Sequence, residues 1–272
     1  VSVGKNVKNR KEGDRVDVDP NVLCESCPPC LAAKGHFCEH MTGIGTMVNG
    51  GFAEYVAVPA KQTHLVGEKT DLKAAAMTEP LACCLHGIDM CDIRPGSRVL
   101  VIGAGMIGLL MLQLARLSGA ALVAISEPVA AKREEAKRLG ADICFDPFAV
   151  SEDAFVAECE KYNFDCVIEC AGNVKTIGQA IRAAGKKATV MMFGLTKPDD
   201  IVSVKPYDVF SKELTLRSSY INPYTQARAL ALIESGRVDV VSMLCPAIPL
   251  EKLFEVLSDE KMRAKGKYVV QL

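Results

Sequence analysis

Residues 99–108 read VLVIGAGMIG, an apolar run that passes through glycines into helix-forming sequence. Gly103, Gly105 and Gly108 match the spacing G-x-G-x-x-G. In this motif the first glycine permits a tight turn, the second lets the backbone approach a pyrophosphate, and the third lets the helix pack on the strand. Amides at the helix start would then face phosphate groups. Glycine turns that bind no ligand share this pattern, so the neighbouring sequence has to decide.

Strands and helices alternate after this stretch. We expect a helix at Met106–Leu117, a strand at 121–126 and a charged helix at 129–139 that Gly140 caps. The same rhythm continues to a sixth strand at 214–219. Strands that alternate with helices indicate a parallel sheet covered on both faces. The predicted fold class is therefore α/β, with a doubly wound parallel sheet of the Rossmann type.

An acidic residue stands where a dinucleotide-binding unit needs one. Glu127 lies nineteen residues after Gly108, at the end of the predicted second strand. A carboxylate there accepts hydrogen bonds from ribose hydroxyls and repels the extra phosphate of NADP, so NAD is the predicted cofactor. The alternative is a solvated glutamate that caps the next helix.

Four of the twelve cysteines cluster as C-x2-C-x2-C-x7-C, at Cys24, Cys27, Cys30 and Cys38. Four soft thiolate ligands without an open position suit a tetrahedral structural zinc ion. An iron–sulfur cluster is the alternative, although the ferredoxin run has a tighter last gap and a following proline. The other cysteines fall in apolar patterns and read as small buried side chains in a reducing compartment.

The composition excludes several classes of function. The chain of 272 residues has a net charge of −1 and a pI near 6.5, so no basic face is predicted for nucleic acid or an anionic membrane. No apolar run reaches the roughly 18 residues that span a bilayer, and the first residues lack the apolar core of a signal peptide. We therefore expect a cytoplasmic protein.

The segments on either side of the predicted sheet have their own patterns. Residues 1–66 read as strands and loops, with a strand expected from the alternation at 52–58. Helices are expected within 71–89, and the tail predicts helices at 225–235 and near 251–257 and a strand at 267–272. Because the chain starts abruptly on VSVG, we expect further residues upstream.

These motifs in this order resemble one family, the zinc-dependent medium-chain dehydrogenases. The resemblance is carried by GDRV, the four-cysteine segment, GGFAEY, EPLAC, VLVIGAGMIG, IECAGN and GKYVV, and it is strongest to the sorbitol, butanediol and threonine dehydrogenases. It implies a mostly-β GroES-like catalytic domain at 1–84, with its zinc lobe at 24–38. It further implies an NAD-binding domain at 85–220, a return to the catalytic domain at 221–272, and a homodimer or homotetramer.

The resemblance also implies cofactor-binding residues. Gly103, Gly105 and Gly108 match the pyrophosphate turn, to which Met106 and Ile107 add amides. Glu127 matches the ribose-binding acid, and Lys132 matches a basic residue beside the adenosine. Four residues at strand ends match positions along the cofactor, with Cys170 and Ala171 on the adenine side and Phe193 and Gly194 at the nicotinamide. Ser219 and Tyr220 fall near the carboxamide.

Glu79, in EPLAC, matches an acidic position that binds the catalytic zinc or holds its water. Read alone, it is an acid at a helix start, where the helix dipole favours negative charge. Thr46 falls where related enzymes line the substrate pocket. The upstream Cys and the Gly-His-Glu segment that complete the catalytic zinc site in the family are absent, and His36, His40, His64 and His86 do not replace them convincingly.

The predicted function is oxidation of a secondary alcohol, such as a polyol or other diol, with hydride transfer to NAD and with catalytic zinc in the complete protein. The predicted partner is a small alcohol substrate. Two alternatives stay open: an inactive form that binds NAD and zinc, and a zinc-free reductase of the same superfamily.

Overall fold

The computed structural model describes residues 2–272, which divide into two compact units. The first unit comprises the residues through Cys83 together with Ile221–Leu272, and the second comprises Cys84–Tyr220. No helix among the described residues has both the length and the apolar character needed to span a bilayer.

The first unit is built from short strands and helices. Its elements in chain order are β1 (Val16–Val18), β2 (Asn21–Val22), α1 (Pro28–Leu31), β3 (Thr42–Gly43), β4 (Thr63–Leu65) and α2 (Leu72–Ala75). β1 pairs antiparallel with β4, and β2 pairs antiparallel with β3. Helix α3 (Thr78–Asp89) follows and runs across the division between the units.

The second unit contains a six-stranded parallel sheet. Its elements in chain order are β5 (Arg98–Ile102), α4 (Met106–Leu117), β6 (Leu122–Ser126), α5 (Ala130–Arg138), β7 (Ile143–Phe145), α6 (Glu152–Glu160), β8 (Cys166–Glu169), α7 (Val174–Ala183), β9 (Thr189–Met192), α8 (Pro206–Lys212) and β10 (Thr215–Ser218). The strand order is β10-β9-β8-β5-β6-β7. Strands β6 and β7 extend the sheet to one side of β5, and the order of strands then reverses, so that β8, β9 and β10 extend it to the other side. This reversal is the switch point at which open α/β sheets bind ligands.

Burial explains why these strands read as apolar runs. Every residue of β8 is buried, and in β5 only Arg98 is exposed, as expected for strands covered on both faces. Phe155 from α6 and Phe164 before β8 fill the space beneath the sheet, where both are at most 2% exposed. Side-chain caps at Ser151 and Asn173 start α6 and α7. The predicted α/β class and doubly wound sheet are confirmed, and α4 begins and ends at the predicted residues.

The remaining elements of the first unit are α9 (Gln226–Glu234), α10 (Leu253–Ser258) and α11 (Glu260–Lys265). Single-turn 3-10 helices lie at Gly35–Phe37, Ala60–Gln62, Val241–Met243 and Leu250–Lys252.

Two predicted strands are wrong. Residues 52–58 form no strand. Phe52 and Tyr55 are 65% and 71% exposed, so these apolar side chains do not cover a core within the described part of the chain. Residues 267–272 form only isolated bridges, from Lys267 to Leu244 and from Val270 to Ile248, instead of a continuous ladder.

Candidate functional site

The turn between β5 and α4 has the geometry that its glycines predict. Gly103 adopts φ +98°, which disfavours any residue with a side chain. A Cβ on Gly108 would lie 1.9 Å from the Gly103 carbonyl oxygen, so the helix packs against the turn without room for a side chain. A Cβ on Gly105 would meet nothing within 4 Å, which leaves this side of the turn open. Met106 and Ile107 begin α4, where amides lack intrahelical acceptors.

The carboxylate of Glu127 is bonded to this turn. It is buried directly after β6, where Oε2 accepts from the Ala104 amide at 2.8 Å and Oε1 accepts from the Val129 amide at 3.0 Å. Lys132 lies half-buried in the first turn of α5. The acid predicted to bind ribose therefore sits beside the glycine turn predicted to bind pyrophosphate, which is the arrangement one dinucleotide needs.

The other predicted cofactor residues follow the ends of β8, β9 and β10. Cys170 and Ala171 follow β8, which pairs with β5 on the side opposite β6 and Glu127. Gly194 follows β9, and a Cβ there would lie 2.3 Å from the Gly172 amide nitrogen, so the two turns touch. Ser219 and Tyr220 follow β10.

The carboxyl edge of the sheet fits a polar ligand. Three buried polar atoms there have no hydrogen-bond partner within the described part of the chain: Ser126 Oγ at the end of β6, Glu169 Oε2 at the end of β8, and Ser219 Oγ after β10. Buried polar groups usually have a hydrogen-bond partner, so three buried polar atoms without one along the same edge indicate a partner outside the described chain. A dinucleotide laid along this edge offers hydroxyl, phosphate and amide groups.

The four predicted zinc ligands meet in a compact lobe of the first unit. The Sγ atoms of Cys24, Cys27, Cys30 and Cys38 all lie within 4.8 Å of one another. Cys24 and Cys30 are 4.0 Å apart and Cys27 and Cys38 are 3.9 Å apart, close to the ~3.8 Å that sulfur atoms share around tetrahedral zinc. The Cys27 amide donates to Cys24 Sγ, and the Cys24 amide donates to Cys38 Sγ, both at 3.4 Å.

The protonation chemistry of the lobe also fits a cation. Backbone amides of Ser26 and Cys27 and the Ser26 hydroxyl lower the pKa of Cys24 to about 5. Desolvation and the neighbouring thiols of Cys27 and Cys38 raise the pKa of Cys30 to about 12. Cys24 and Cys30 therefore do not ionise together by themselves, and a divalent ion would supply the positive charge that allows it.

Glu79 lies half-buried in the first turn of α3, where its Oε1 accepts from the Cys83 thiol at 3.4 Å. Burial and the charges of Glu79 and Asp19 raise the pKa of Cys83. Within residues 2–272, the four-cysteine lobe is the only group of three or more His, Cys, Asp or Glu ligand atoms this close together. Glu79 thus has no set of partner ligands for a catalytic zinc ion among the described residues.

Sequence reasoning missed a chain of hydrogen bonds in the first unit. Asp17 Oδ2 accepts from Gln226 Nε2 at 2.8 Å, Gln226 Oε1 accepts from Asn222 Nδ2 at 3.1 Å, and Asn222 Oδ1 accepts from Asn21 Nδ2 at 2.7 Å. Burial raises the pKa of Asp17, against the hydrogen bond from Gln226. No local spacing signals this chain, because it joins β1 to residues about two hundred positions later.

Next to these hydrogen bonds lies a cavity of about 220 Å³ that is lined by both polar and apolar groups. Its lining includes Asp19, Asn21, His36, His64, Asn222 and Tyr224. Thr46 lies elsewhere, exposed in the turn after β3, with its hydroxyl donating to the Gly43 carbonyl at 3.4 Å. His40 is exposed, and His86 is half-buried in α3.

A doubly wound sheet with a glycine turn and an acid at its edge defines a dinucleotide-binding oxidoreductase. Comparison with known proteins gives the family. Residues 107–235 match the family model described as zinc-binding dehydrogenase, and residues 1–68 match the alcohol dehydrogenase GroES-like domain.

Named relatives agree with these matches. D-arabinitol dehydrogenase 1 of Uromyces fabae is 31% identical over 275 residues, covering 100% of this chain and 78% of that protein. L-galactonate-5-dehydrogenase of Escherichia coli K12 is 32% identical over 94% of this chain and 74% of its own length. A Sinorhizobium meliloti 1021 protein assigned to the zinc-binding dehydrogenases, with NADP bound, superposes at a TM-score of 0.91 with 38% identity, over 95% of this chain and 77% of its own.

The chain belongs to the zinc-dependent medium-chain dehydrogenase family. The predicted family, the predicted Rossmann and GroES-like fold, and the predicted nicotinamide dinucleotide and zinc are thereby confirmed.

Proposed function

We propose that this chain is the dehydrogenase of a secondary alcohol, with a sugar alcohol or other vicinal diol as its first candidate substrate and NAD as its hydride acceptor. The proposal is carried by the position of the Glu127 carboxylate, which is hydrogen-bonded to the glycine turn. From there it can accept hydrogen bonds from ribose hydroxyls. Relatives that act on D-arabinitol and L-galactonate support a polyhydroxy substrate.

A bound dinucleotide would supply the hydride acceptor for oxidation of the carbinol carbon to a ketone, with the hydroxyl proton released to solvent. The proposed roles of this chain are binding and orientation. Gly103, Gly105 and the α4 amides at Met106–Gly108 hold the pyrophosphate, and Glu127 holds the adenosine ribose beside Lys132. Six residues that follow the ends of β8, β9 and β10 line the cofactor along the edge: Cys170, Ala171, Phe193, Gly194, Ser219 and Tyr220.

We infer that the unit containing the four-cysteine lobe is the catalytic domain (1–84 and 221–272) and that residues 85–220 are the NAD-binding domain. In this arrangement Cys24, Cys27, Cys30 and Cys38 hold structural zinc, Glu79 serves the catalytic zinc and Thr46 the substrate. We further propose a homodimer or homotetramer in the cytoplasm. The twelve cysteines form no disulfide within the described residues, which supports a reducing compartment.

A panel of sugar alcohols, butanediol and threonine, followed by NADH formation, tests the activity. We expect the fastest NADH formation with a sugar alcohol or other vicinal diol, and no turnover with any secondary alcohol would refute the proposal. Replacing NAD by NADP in the same assay tests the cofactor preference, which the NADP-bound relative makes worth measuring.

A second candidate is an NAD-binding and zinc-binding protein without catalysis. Its support is that Glu79 belongs to no group of three or more candidate ligand atoms within residues 2–272. Zinc content per chain separates the two candidates, because the dehydrogenase needs a second zinc ion beyond the one in the four-cysteine lobe.

A further inference from the structure

Glu169 is a fully buried carboxylate at the carboxyl end of β8, with 0% of its surface exposed. A charged side chain is rarely buried without a partner, because removing it from water is costly. The family resemblance gave this residue no role. Its surroundings indicate one, because it lies between the turns that follow β8 and β9.

One oxygen of this carboxylate is saturated by the turn after β8. Oε1 accepts from the Ala171 amide at 2.8 Å, the Gly172 amide at 2.9 Å and the Thr176 hydroxyl at 2.7 Å. The Glu169 carbonyl accepts from the Phe193 and Gly194 amides at 3.0 and 2.9 Å. The residue therefore holds the ends of two neighbouring strands in place.

The other oxygen has no partner. Oε2 is buried without a hydrogen bond, and no basic side chain of the described chain pairs with Glu169. A Cβ on Gly194 would lie 2.8 Å from Oε2, so the absence of a side chain at Gly194 leaves space for this oxygen. The Glu169 carboxylate thus lies against Gly194, where the resemblance places the nicotinamide, and no basic side chain of the described chain pairs with it.

We propose that Glu169 is a positioning residue for the nicotinamide half of the cofactor, and that its charge favours the oxidised ring over the reduced ring. This inference rests on the proposed NAD-binding function. The oxidised ring carries a positive charge that the reduced ring lacks, and a nearby buried carboxylate attracts only the former. Glu127 is the acid of the adenosine half, and Ala171 lies on its adenine side; the Ala171 amide keeps a side-chain oxygen acceptor when Glu169 is replaced by Gln.

The test compares NAD+, NADH and AMP as ligands of the wild type and of Glu169→Gln. NADH is titrated by its fluorescence, and NAD+ and AMP are titrated by calorimetry. Gln keeps the shape of the side chain and removes its charge. We expect the affinity for NAD+ to fall about three- to tenfold more than that for NADH, with AMP affinity unchanged.

Asp199→Asn is the matched control, because it removes one negative charge from an exposed position of the same unit. It should leave the NAD+ to NADH affinity ratio at the wild-type value. The proposal would be overturned if Glu169→Gln left the ratio of NAD+ affinity to NADH affinity unchanged. A parallel loss of AMP binding would also overturn it. A wild type that binds none of the three ligands would instead refute the proposed function.

Thr176→Val keeps the proposal testable if Glu169→Gln does not fold. It removes one donor to Oε1 and retains the charge. We expect weaker binding of NAD+ and NADH in equal measure and no change for AMP. Unchanged binding of both dinucleotides would contradict the positioning role.

Discussion

The four-cysteine lobe and the carboxyl edge of the six-stranded sheet reach a binding geometry by different routes. All four thiols of the lobe come from residues 24–38, and Leu31 and Phe37 around them stay 75% and 57% exposed. The edge gathers residues from five strands above a core that includes Phe155 and Phe164. We therefore expect the lobe to depend on its proposed metal for rigidity, and the edge to be formed by packing before a ligand arrives.

The largest expected effect is on the lobe. Structural zinc contributes about 10–16 kcal/mol of apparent binding free energy in small metal domains. We expect a chelator, or Cys27→Ser, to abolish hydrogen-exchange protection across residues 24–38 while β5 keeps its protection. Exchange followed by mass spectrometry measures both segments.

Cys144→Ser is the control, because Cys144 lies in β7 and its thiol donates to the Arg133 carbonyl. This variant should retain zinc and lobe protection. Equal protection of residues 24–38 with and without zinc would end the contrast between a metal-dependent lobe and a packing-dependent edge.

At the edge, Gly108→Ala should be the most damaging small change. Its Cβ would lie 1.9 Å from the Gly103 carbonyl oxygen, so the turn has to move. We expect about 1–3 kcal/mol of lost stability and loss of NADH binding, measured by urea unfolding and by fluorescence titration.

Gly178→Ala supplies the comparison for that variant. Gly178 lies inside α7, and a Cβ there would meet nothing within 4 Å. Alanine should raise stability by about 0.5–1 kcal/mol at this position and leave NADH binding unchanged. Equal losses of stability in Gly108→Ala and Gly178→Ala would show that the turn is no more crowded than the open position in α7.

A smaller effect is expected from Glu127→Ala. Its carboxylate is the proposed partner of the ribose hydroxyls, and a hydrogen bond to a charged group is worth about 1.5–3 kcal/mol. NAD affinity should fall about tenfold or more relative to NADP affinity, as measured by calorimetry with both dinucleotides. Glu134→Ala, an exposed position of α5 that pairs with Lys137, should keep the preference.

The smallest expected effect concerns Asp17, in the strand that leads into the lobe. Burial raises its folded-state pKa above 3.8, with His64 opposing and Asp19 reinforcing the shift. The folded chain then holds more protons than the unfolded chain, so stability falls as pH rises from about 3.8 through the raised pKa, and the deficit persists at neutral pH.

Asp17→Asn should therefore raise stability at neutral pH by about 0.5–1.5 kcal/mol and flatten the stability-against-pH curve above that window. Chemical unfolding at several pH values measures this. A variant less stable than wild type at neutral pH would show that the charge on Asp17 is compensated in the folded chain.

Much of the second unit could be predicted because its signals are local. The glycines at 103, 105 and 108 and the apolar run before them mark one strand, one turn and one helix, and α4 spans the predicted Met106–Leu117. The four cysteines also meet as expected, since close spacing brings their thiols together.

Features that depend on distant partners could not be predicted. Alternation at 52–58 signals a strand only if one face is covered, and Phe52 remains exposed. Helix α8 was missed because its Tyr207 and Phe210 are exposed and give no buried stripe. The Glu169 environment depends on Gly194, which belongs to another strand end.

The four-cysteine segment has a consequence for the timing of folding during synthesis. Closing a ten-residue loop takes about 10–100 ns, whereas β5 gains its second neighbour, β8, only when Val99 can pair with Cys166. At about 5–20 residues per second, the ribosome needs several seconds to make the intervening chain. The lobe can therefore capture its proposed zinc ion while the sheet is still being synthesised, so zinc supply at the ribosome would act on this segment before the sheet is complete.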